Sequence, residues 1–428
     1  LGTSFTGTTD EEYAAAVLAL QDTEGAVQKF ANDFTAKALT GNLGATKTSD
    51  KITESKTSYE FTGLDAGYYL VYVTGGKEIQ SSLVTVDETT TTVDLKTEAP
   101  SIEKTADKTT VNIGDVVTYN VKGVIPDTTG YDQYQYIIHD ELSTGLDFIN
   151  DTTGTALEEA ATTVNVKVAF GADVTDEGTA PITATLDSTN KRKMSLDLSA
   201  WVKANQTNNK GKEFTVTYYA KVNKDAVVTE KNKAQLEYGN KPGETTTTTP
   251  SEAKTPTYPL DILKTKKDSN VKLAGAKFSL YTSEADAKNG TNPIKVTGNN
   301  GNYIVDSNST TTEFESVENI EGKDYNLRVN GLAEGTYYLV ETKAPDGYNK
   351  LTAPVVIKIT KSTDTDVNNW TISKDGTVEN DKIIDIVNST GSLLPSTGGR
   401  GAIVFAVIAA LLVFGVAVSF IRDKRKEA

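Results

Sequence analysis

Gly331-Leu332-Ala333-Glu334-Gly335-Thr336-Tyr337-Tyr338-Leu339-Val340 is a glycine turn feeding a run of alternating aromatic and aliphatic residues. Gly63-Leu64-Asp65-Ala66-Gly67-Tyr68-Tyr69-Leu70-Val71 repeats it near the start of the chain. A Gly-bearing turn followed by a period-two pattern of β-forming residues marks a strand with one buried face. The repeat makes the first and third parts of the chain related β-sandwiches. Thr, Val, Tyr, Asp and Gly are abundant throughout, a composition that favours strands and turns.

Working outward, residues 1–98 form a first domain. Thr9-Asp10-Glu11-Glu12 has the pattern of a capping box opening a helix. Val27, Phe30, Ala31 and Phe34 give a second helical stripe. Strand patterns follow at 58–61, 67–73 and 81–86. Residues 99–240 form a middle domain with strand signals at 116–121, 134–138, 163–168, 213–222 and 234–238. The run Thr245–Thr249, with Pro242, Pro250 and Pro256, predicts an extended, solvated linker over 241–257. Residues 258–390 form a third domain, with strands at 277–281, 325–329, 336–341 and 355–359.

The chain closes, over 394–428, on Leu394-Pro395-Ser396-Thr397-Gly398, an uncharged apolar run over 402–421, and the basic cluster Arg422, Lys424, Arg425 and Lys426. Twenty residues at about 1.5 Å rise span about 30 Å, the hydrocarbon thickness of a bilayer. The basic cluster behind the run holds the tail in the cytoplasm, so everything before Leu394 faces outward. The order of pentapeptide, apolar helix and basic stop resembles the cell-wall sorting signal of Gram-positive surface proteins. That resemblance implies cleavage between Thr397 and Gly398 by a sortase, with transfer of the Thr397 carbonyl to an amine. The chain does not open on Met and carries no leader pattern, as expected of a processed or partial chain.

Composition narrows the function classes. The chain has 428 residues, no Cys, and a formal net charge of −15. The acidic balance argues against nucleic acid as a partner. Without Cys there are no disulfides, so a covalent staple in an exported protein needs other chemistry. An enzyme is not expected: a sortase needs Cys, and the one His, His139, comes with no nucleophile-elbow motif. No His/Cys cluster suggests a metal, no phosphate loop suggests a nucleotide, and no cofactor is expected.

Six further stretches carry a wider resemblance. Leu263-Lys264-Thr265 followed by Leu273-Ala274-Gly275-Ala276-Lys277-Phe278 is similar to the opening of a collagen-adhesin B-type domain. Tyr338-Leu339-Val340-Glu341-Thr342-Lys343-Ala344-Pro345-Asp346-Gly347-Tyr348 is similar to the pilin E-box. Ile102-Glu103-Lys104, His139-Asp140-Glu141-Leu142 and Asn232-Lys233-Ala234-Gln235-Leu236 resemble an isopeptide-forming fimbrial domain. The chain thus resembles a sortase-assembled backbone pilin. The resemblance implies a mainly β architecture of tandem immunoglobulin-like sandwiches, with helices in the first domain and a C-terminal transmembrane helix. It also implies strands ahead of the helices that this chain lacks.

The resemblance further implies spontaneous Lys–Asn isopeptide bonds, each with a carboxylic acid beside it. A Lys buried among apolar groups loses its charge and becomes a nucleophile. A carboxyl group kept protonated by burial polarises the Asn carbonyl and shuttles protons as ammonia leaves. In the middle domain Lys104, Asn232 and Asp140 take these roles; in the last domain Lys264, Asn388 and Glu341 do. Lys would lie on the first strand and Asn on the last, so the bond would clamp the terminal strands. The repeat places Tyr72 where the last domain has Glu341, so no such bond is expected in the first domain. The lysine joining one subunit to the next falls, by position, at Lys96 in Val93-Asp94-Leu95-Lys96, with Lys254 in reserve.

The reading is a shaft subunit at the cell surface. Its partners would be sortases, copies of itself, peptidoglycan and, further out, ancillary pilins and a host receptor. Head-to-tail transfer builds filaments rather than closed rings. The alternative is a monomeric wall-anchored adhesin or an ancillary tip or base pilin.

Overall fold

The computed structural model describes residues 9–22, 26–41, 43–50, 58–74, 79–87, 92–95, 99–128, 133–171, 174–175, 177–239 and 245–391. The chain divides into two compact units, Leu1–Thr257 and Tyr258–Ala428.

The first unit opens with α1 (Asp10–Leu18) and α2 (Ala26–Thr40). The expected capping box is present: Thr9 Oγ1 accepts from the Glu12 amide at 3.3 Å, and Glu12 accepts from the Thr9 amide at 3.2 Å. Val17, Ala31, Thr35 and Ala38 are the buried residues of these helices. A hairpin follows, β1 (Gly67–Val73) antiparallel to β2 (Gln80–Val86). The stretch 58–61 forms no strand.

The rest of this unit is a two-sheet β structure. In chain order its strands are β3 (Glu103–Ala106), β4 (Val116–Val124), β5 (Gln135–Leu142), β6 (Leu146–Ile149), β7 (Thr163–Asn165), β8 (Lys167–Phe170), β9 (Thr183–Leu186), β10 (Lys193–Asp197), β11 (Glu213–Val222), β12 (Lys231–Gly239), β13 (Thr245–Thr247) and β14 (Ser251–Lys254). One sheet runs β3-β4-β11-β6, with β8 also on β11; the other runs β13-β12-β5-β10-β9-β7, with β14 also on β12. A short helix, α3 (Ser199–Asn205), follows β10. Every second residue of β11 is buried: Phe214, Val216, Tyr218, Ala220 and Val222. The single strand expected over 163–168 is two, because the chain passes from one sheet to the other at Val166.

The expected solvated linker over 241–257 needs correction. Thr245–Thr247 pairs with Glu237–Gly239, and Ser251–Lys254 pairs with Lys231–Ala234. Thr248 adds two bonds to Leu236, donating its amide to the Leu236 carbonyl and accepting the Leu236 amide on its hydroxyl. β-Branched threonines suit an extended edge, and the edge of β12 offers unpaired backbone groups for them to complete.

The second unit contains β15 (Tyr258–Lys266), β16 (Lys277–Tyr281), β17 (Val296–Asn299), β18 (Asn302–Val305), β19 (Phe314–Glu315), β20 (Leu327–Leu332), β21 (Gly335–Lys343), β22 (Val355–Thr360), β23 (Thr371–Lys374), β24 (Thr377–Val378) and β25 (Ile383–Asn388). One sheet runs β17-β18-β20-β15-β25 and the other β19-β16-β21-β22-β23-β24. The first and last strands, β15 and β25, are parallel neighbours, with Lys264 opposite Ile386 and Lys266 opposite Asn388.

The internal repeat is a structural one. Gly63 and Gly331 both have positive φ, 65° and 96°, a conformation that glycine adopts without strain. Tyr69 donates its hydroxyl to the Asp65 carbonyl and Tyr337 to the Ala333 carbonyl, the same corner four residues back. Aligning these corners puts Val73, not Tyr72, at the position of Glu341. The expectation erred by one residue; no carboxyl group stands there in either register.

Among the described residues no helix is long and apolar enough to cross a membrane. The sorting pentapeptide (394–398), the expected transmembrane helix (402–421) and Lys96 lie outside the described residues. Lys254 lies on β14, opposite Lys231.

Candidate functional site: two buried Lys–carboxyl–Asn constellations

β5 turns Tyr136, Ile138, Asp140 and Leu142 inward, and β12 turns Asn232, Ala234 and Leu236 inward. Strand alternation therefore places a carboxyl group and an amide at positions where the sandwich otherwise buries apolar side chains. The register sets Ala234 opposite Asp140 and Asn232 opposite Leu142, so the two polar groups are diagonal neighbours. From the facing sheet, β3 contributes Lys104 and β11 contributes Tyr218.

The four side chains converge. Lys104 and Asp140 are both fully buried, with Nζ 2.6 Å from Oδ2. Lys104 Nζ also contacts the Tyr218 hydroxyl, and that hydroxyl donates to Asp140 Oδ2. Asn232 Nδ2 lies 3.5 Å from the same hydroxyl. Nζ sits 4.8 Å and 4.7 Å from the ring centres of Tyr119 and Tyr218. Burial pushes the Lys104 pKa down, against the opposing pull of Asp140. Burial first, then Asp140, raises the Tyr218 phenol well above its ordinary value.

The second unit repeats the chemistry in another geometry. Lys264 on β15, Asn388 on β25 and Glu341 on β21 all occupy inward positions. Lys264 and Glu341 are fully buried, with Nζ 3.7 Å from Oε1. Asn388 Nδ2 donates to Glu341 Oε2 at 3.0 Å and to the Asn349 carbonyl at 2.9 Å. The Leu351 amide donates to the same Oε2 at 2.8 Å. Burial pushes Lys264 down to about 8, with Glu341 opposing.

The two sites share an energetic problem. Asn232 Oδ1, Asn388 Oδ1, Asp140 Oδ1 and Glu341 Oε1 are buried with no hydrogen-bond partner among the described residues. Each such atom destabilises the fold by about 1–3 kcal/mol, and a buried ammonium adds more unless it is paired or neutral. Conversion of Lys and Asn to an amide removes the ammonium.

All six residues expected at these sites are brought together in their two sets. Lys264 and Asn388 do sit on the first and last described strands of their unit. In the middle domain the expectation fails for Asn232, because β13 and β14 follow β12. There the pair also links two facing sheets, whereas Lys264 and Asn388 are on adjacent strands of one sheet. Tyr218 was not anticipated: a Tyr at an inward position of an alternating strand looks like any core aromatic.

His139 points to the other face of β5. Its Nδ1 lies 2.8 Å from Ser195 Oγ and its Nε2 2.8 Å from Glu237, on the two neighbouring strands. His139 and Ser195 of this cross-strand clasp line a surface cleft of about 440 Å³, with Glu141, Lys193 and Lys233 around it. Among the described residues no group of three or more His, Cys, Asp or Glu side chains converges as a metal site requires.

Residues 259–374 match the family model of the SpaA prealbumin-like fold domain. The match takes in Lys264 and Glu341 and stops short of Asn388. The chain is also similar to the fimbrial subunit type 1 of Actinomyces viscosus, 33% identical over 121 residues. That stretch is 26% of this chain and 20% of the relative, so the match spans about a fifth of that protein's length. Among solved structures, the group B streptococcus pilus 2b backbone protein is 22% identical with a TM-score of 0.43, covering 68% of this chain and 99% of that one. The full-length major pilin RrgB from Streptococcus pneumoniae is 15% identical with a TM-score of 0.44, covering 73% and 78%. Residues 259–374 are thus similar to the SpaA prealbumin-like fold domain, and a stretch of 121 residues is similar to part of a fimbrial subunit.

Proposed function

We propose that this chain is a shaft subunit of a covalent, sortase-assembled pilus on the bacterial surface, each subunit held by intramolecular isopeptide bonds. The observation that supports this most is the paired occurrence of a buried Lys, a buried carboxyl group and a buried Asn whose carbonyl oxygen has no donor among the described residues. Lys104 and Lys264 are the nucleophiles, Asn232 and Asn388 the acceptors, and Asp140 and Glu341 the acids. One ammonia leaves at each site. The reaction happens once per site, so the role is structural rather than enzymatic.

Between subunits, sortase cleaves Thr397–Gly398 and transfers the Thr397 acyl group to Lys96 of the next copy. A last transfer to peptidoglycan fixes the fibre in the cell wall. The −15 net charge suits subunits that stay soluble until they are joined.

The test is a denaturing gel of cell-wall extracts from a host carrying the matching sortase, comparing the parent chain with Lys96→Ala. A high-mass ladder that disappears with Lys96→Ala is the expected result. A ladder in both moves the linkage to another lysine, with Lys254 the next to replace. A single wall-linked band in both would establish a monomeric anchored protein and overturn the shaft reading.

A further inference from the structure

Asp140 and Glu341 are given one role, yet Asp140 is shorter by one methylene. In the last domain the acid reaches the leaving nitrogen directly, Asn388 Nδ2 to Glu341 Oε2 at 3.0 Å. In the middle domain Asn232 Nδ2 meets the Tyr218 hydroxyl instead, at 3.5 Å, and that hydroxyl donates to Asp140 Oδ2. The hydroxyl also touches the Lys104 amine. One phenol is therefore in contact with the nucleophile, the acid and the leaving nitrogen.

We infer that Tyr218 is a catalytic residue of the middle-domain bond, relaying a proton from the Asp140 carboxyl group to the nitrogen that leaves Asn232. This rests on Lys104 and Asn232 being the reacting pair. The Lys104–Asp140 pair holds one proton that moves from Nζ to Oδ2 along the 2.6 Å contact, leaving a neutral amine and a carboxylic acid. Nζ attacks Asn232 Cγ. In the resulting tetrahedral centre Nδ2 regains a lone pair and can accept. Tyr218 gives its proton to Nδ2 and takes the one on Asp140, and Asp140 recovers a proton from Nζ. The Cγ–Nδ2 bond breaks and ammonia departs. No other reactant is needed, and the phenol ends as it began. Its raised pKa fits this use, since it remains protonated and able to donate.

The test is Tyr218→Phe in the full chain. Phe keeps the ring packing against Tyr119 and Phe148 and removes only the hydroxyl. Peptide mapping by mass spectrometry follows the Lys104–Asn232 cross-link with time, and the Lys264–Asn388 cross-link serves as an internal control. The expected result is about 10²-fold slower linkage in the middle domain, the scale of a lost acid–base group, with the last domain unchanged. Asp140→Glu added to Tyr218→Phe should restore the rate by supplying the missing methylene, a rescue that a purely structural tyrosine would not show. Linkage of Tyr218→Phe as fast as the parent overturns the relay, and so does a double variant as slow as the single one. If Tyr218→Phe does not fold, 3-fluorotyrosine at this position keeps the shape and makes the phenol more acidic; an unchanged rate overturns the relay. A parent chain with Lys104 and Asn232 unlinked overturns the underlying pair itself.

Discussion

Glu341→Gln removes the last domain's acid while keeping its shape. The bond it promotes would close a loop of about 125 residues between Lys264 and Asn388. In the chain-entropy description a cross-link of that length stabilises by about 5 kcal/mol. The entropy of unfolding for a unit of about 130 residues then converts this to a melting shift of about 15–20 °C. The variant also leaves Lys264 buried without its carboxylate, which costs about 3–5 kcal/mol more if the amine stays charged. Intact mass should fall short of the sequence mass by two ammonia molecules in the parent and by one in Glu341→Gln. Calorimetry should show the last domain's transition lowered by at least the shift above. A parent at full sequence mass would refute both bonds. A Glu341→Gln chain that still loses two ammonias, or melts with the parent, would refute the role given to Glu341.

Three further outcomes are expected. Asn388→Ala leaves Lys264 unreacted, with its pKa lowered by burial to about 8 against an unfolded value of about 10.4. Between these values the unfolded chain binds more protons, so this group's contribution makes stability rise with pH across that window; urea midpoints at pH 7 and pH 10 check the sign, and a flat profile would count against the buried amine. The first domain has Val73 at the position of Glu341, so calorimetry and limited proteolysis should find it the earliest to melt and the earliest cut, ahead of residue 99. Glu237→Gln weakens the half-exposed His139 clasp and should cost only about 0.5–1 kcal/mol with both cross-links intact, as judged by denaturant midpoint and peptide mapping.

Much of this arrangement is readable from residue order because burial on a sheet has a period of two. The strands 67–73, 213–222 and 277–281 emerge with the bounds expected of them. Lys104, Asp140, Asn232, Lys264, Glu341 and Asn388 stand out because each puts a polar group into an inward slot. What escapes the sequence is what pattern does not encode. β13 is all threonine and β14 has Ala253 as its one apolar residue, so backbone pairing more than an apolar face decides them. Residues 58–61 have a strand's alternation but no strand partner among the described residues. The crossing at Val166 depends on which sheet lies nearer. Tyr218 acts through a hydroxyl group whose neighbours come from three other strands, a fact that only the folded register supplies.

The strands that follow Asn232 bear on extensibility. In the last domain a Lys264–Asn388 link leaves only the few residues of β15 before Lys264 and the short stretch after Asn388 to carry tension, and that path has almost no slack. In the middle domain the covalent loop would close at Asn232, with the rest of β12 and then about 18 residues, 240–257, still to come before Tyr258. Within that stretch β13 and β14 are folded back on β12 by backbone hydrogen bonds, helped by the Lys231–Glu252 ion pair and by the burial of Ala253, Thr255 and Thr257. Peeled straight at about 3.3 Å per residue, residues 240–257 could release up to about 60 Å without breaking a covalent bond or removing β12 from its sheet. A fibre built from such subunits would be inextensible at one domain and reversibly compliant at the next.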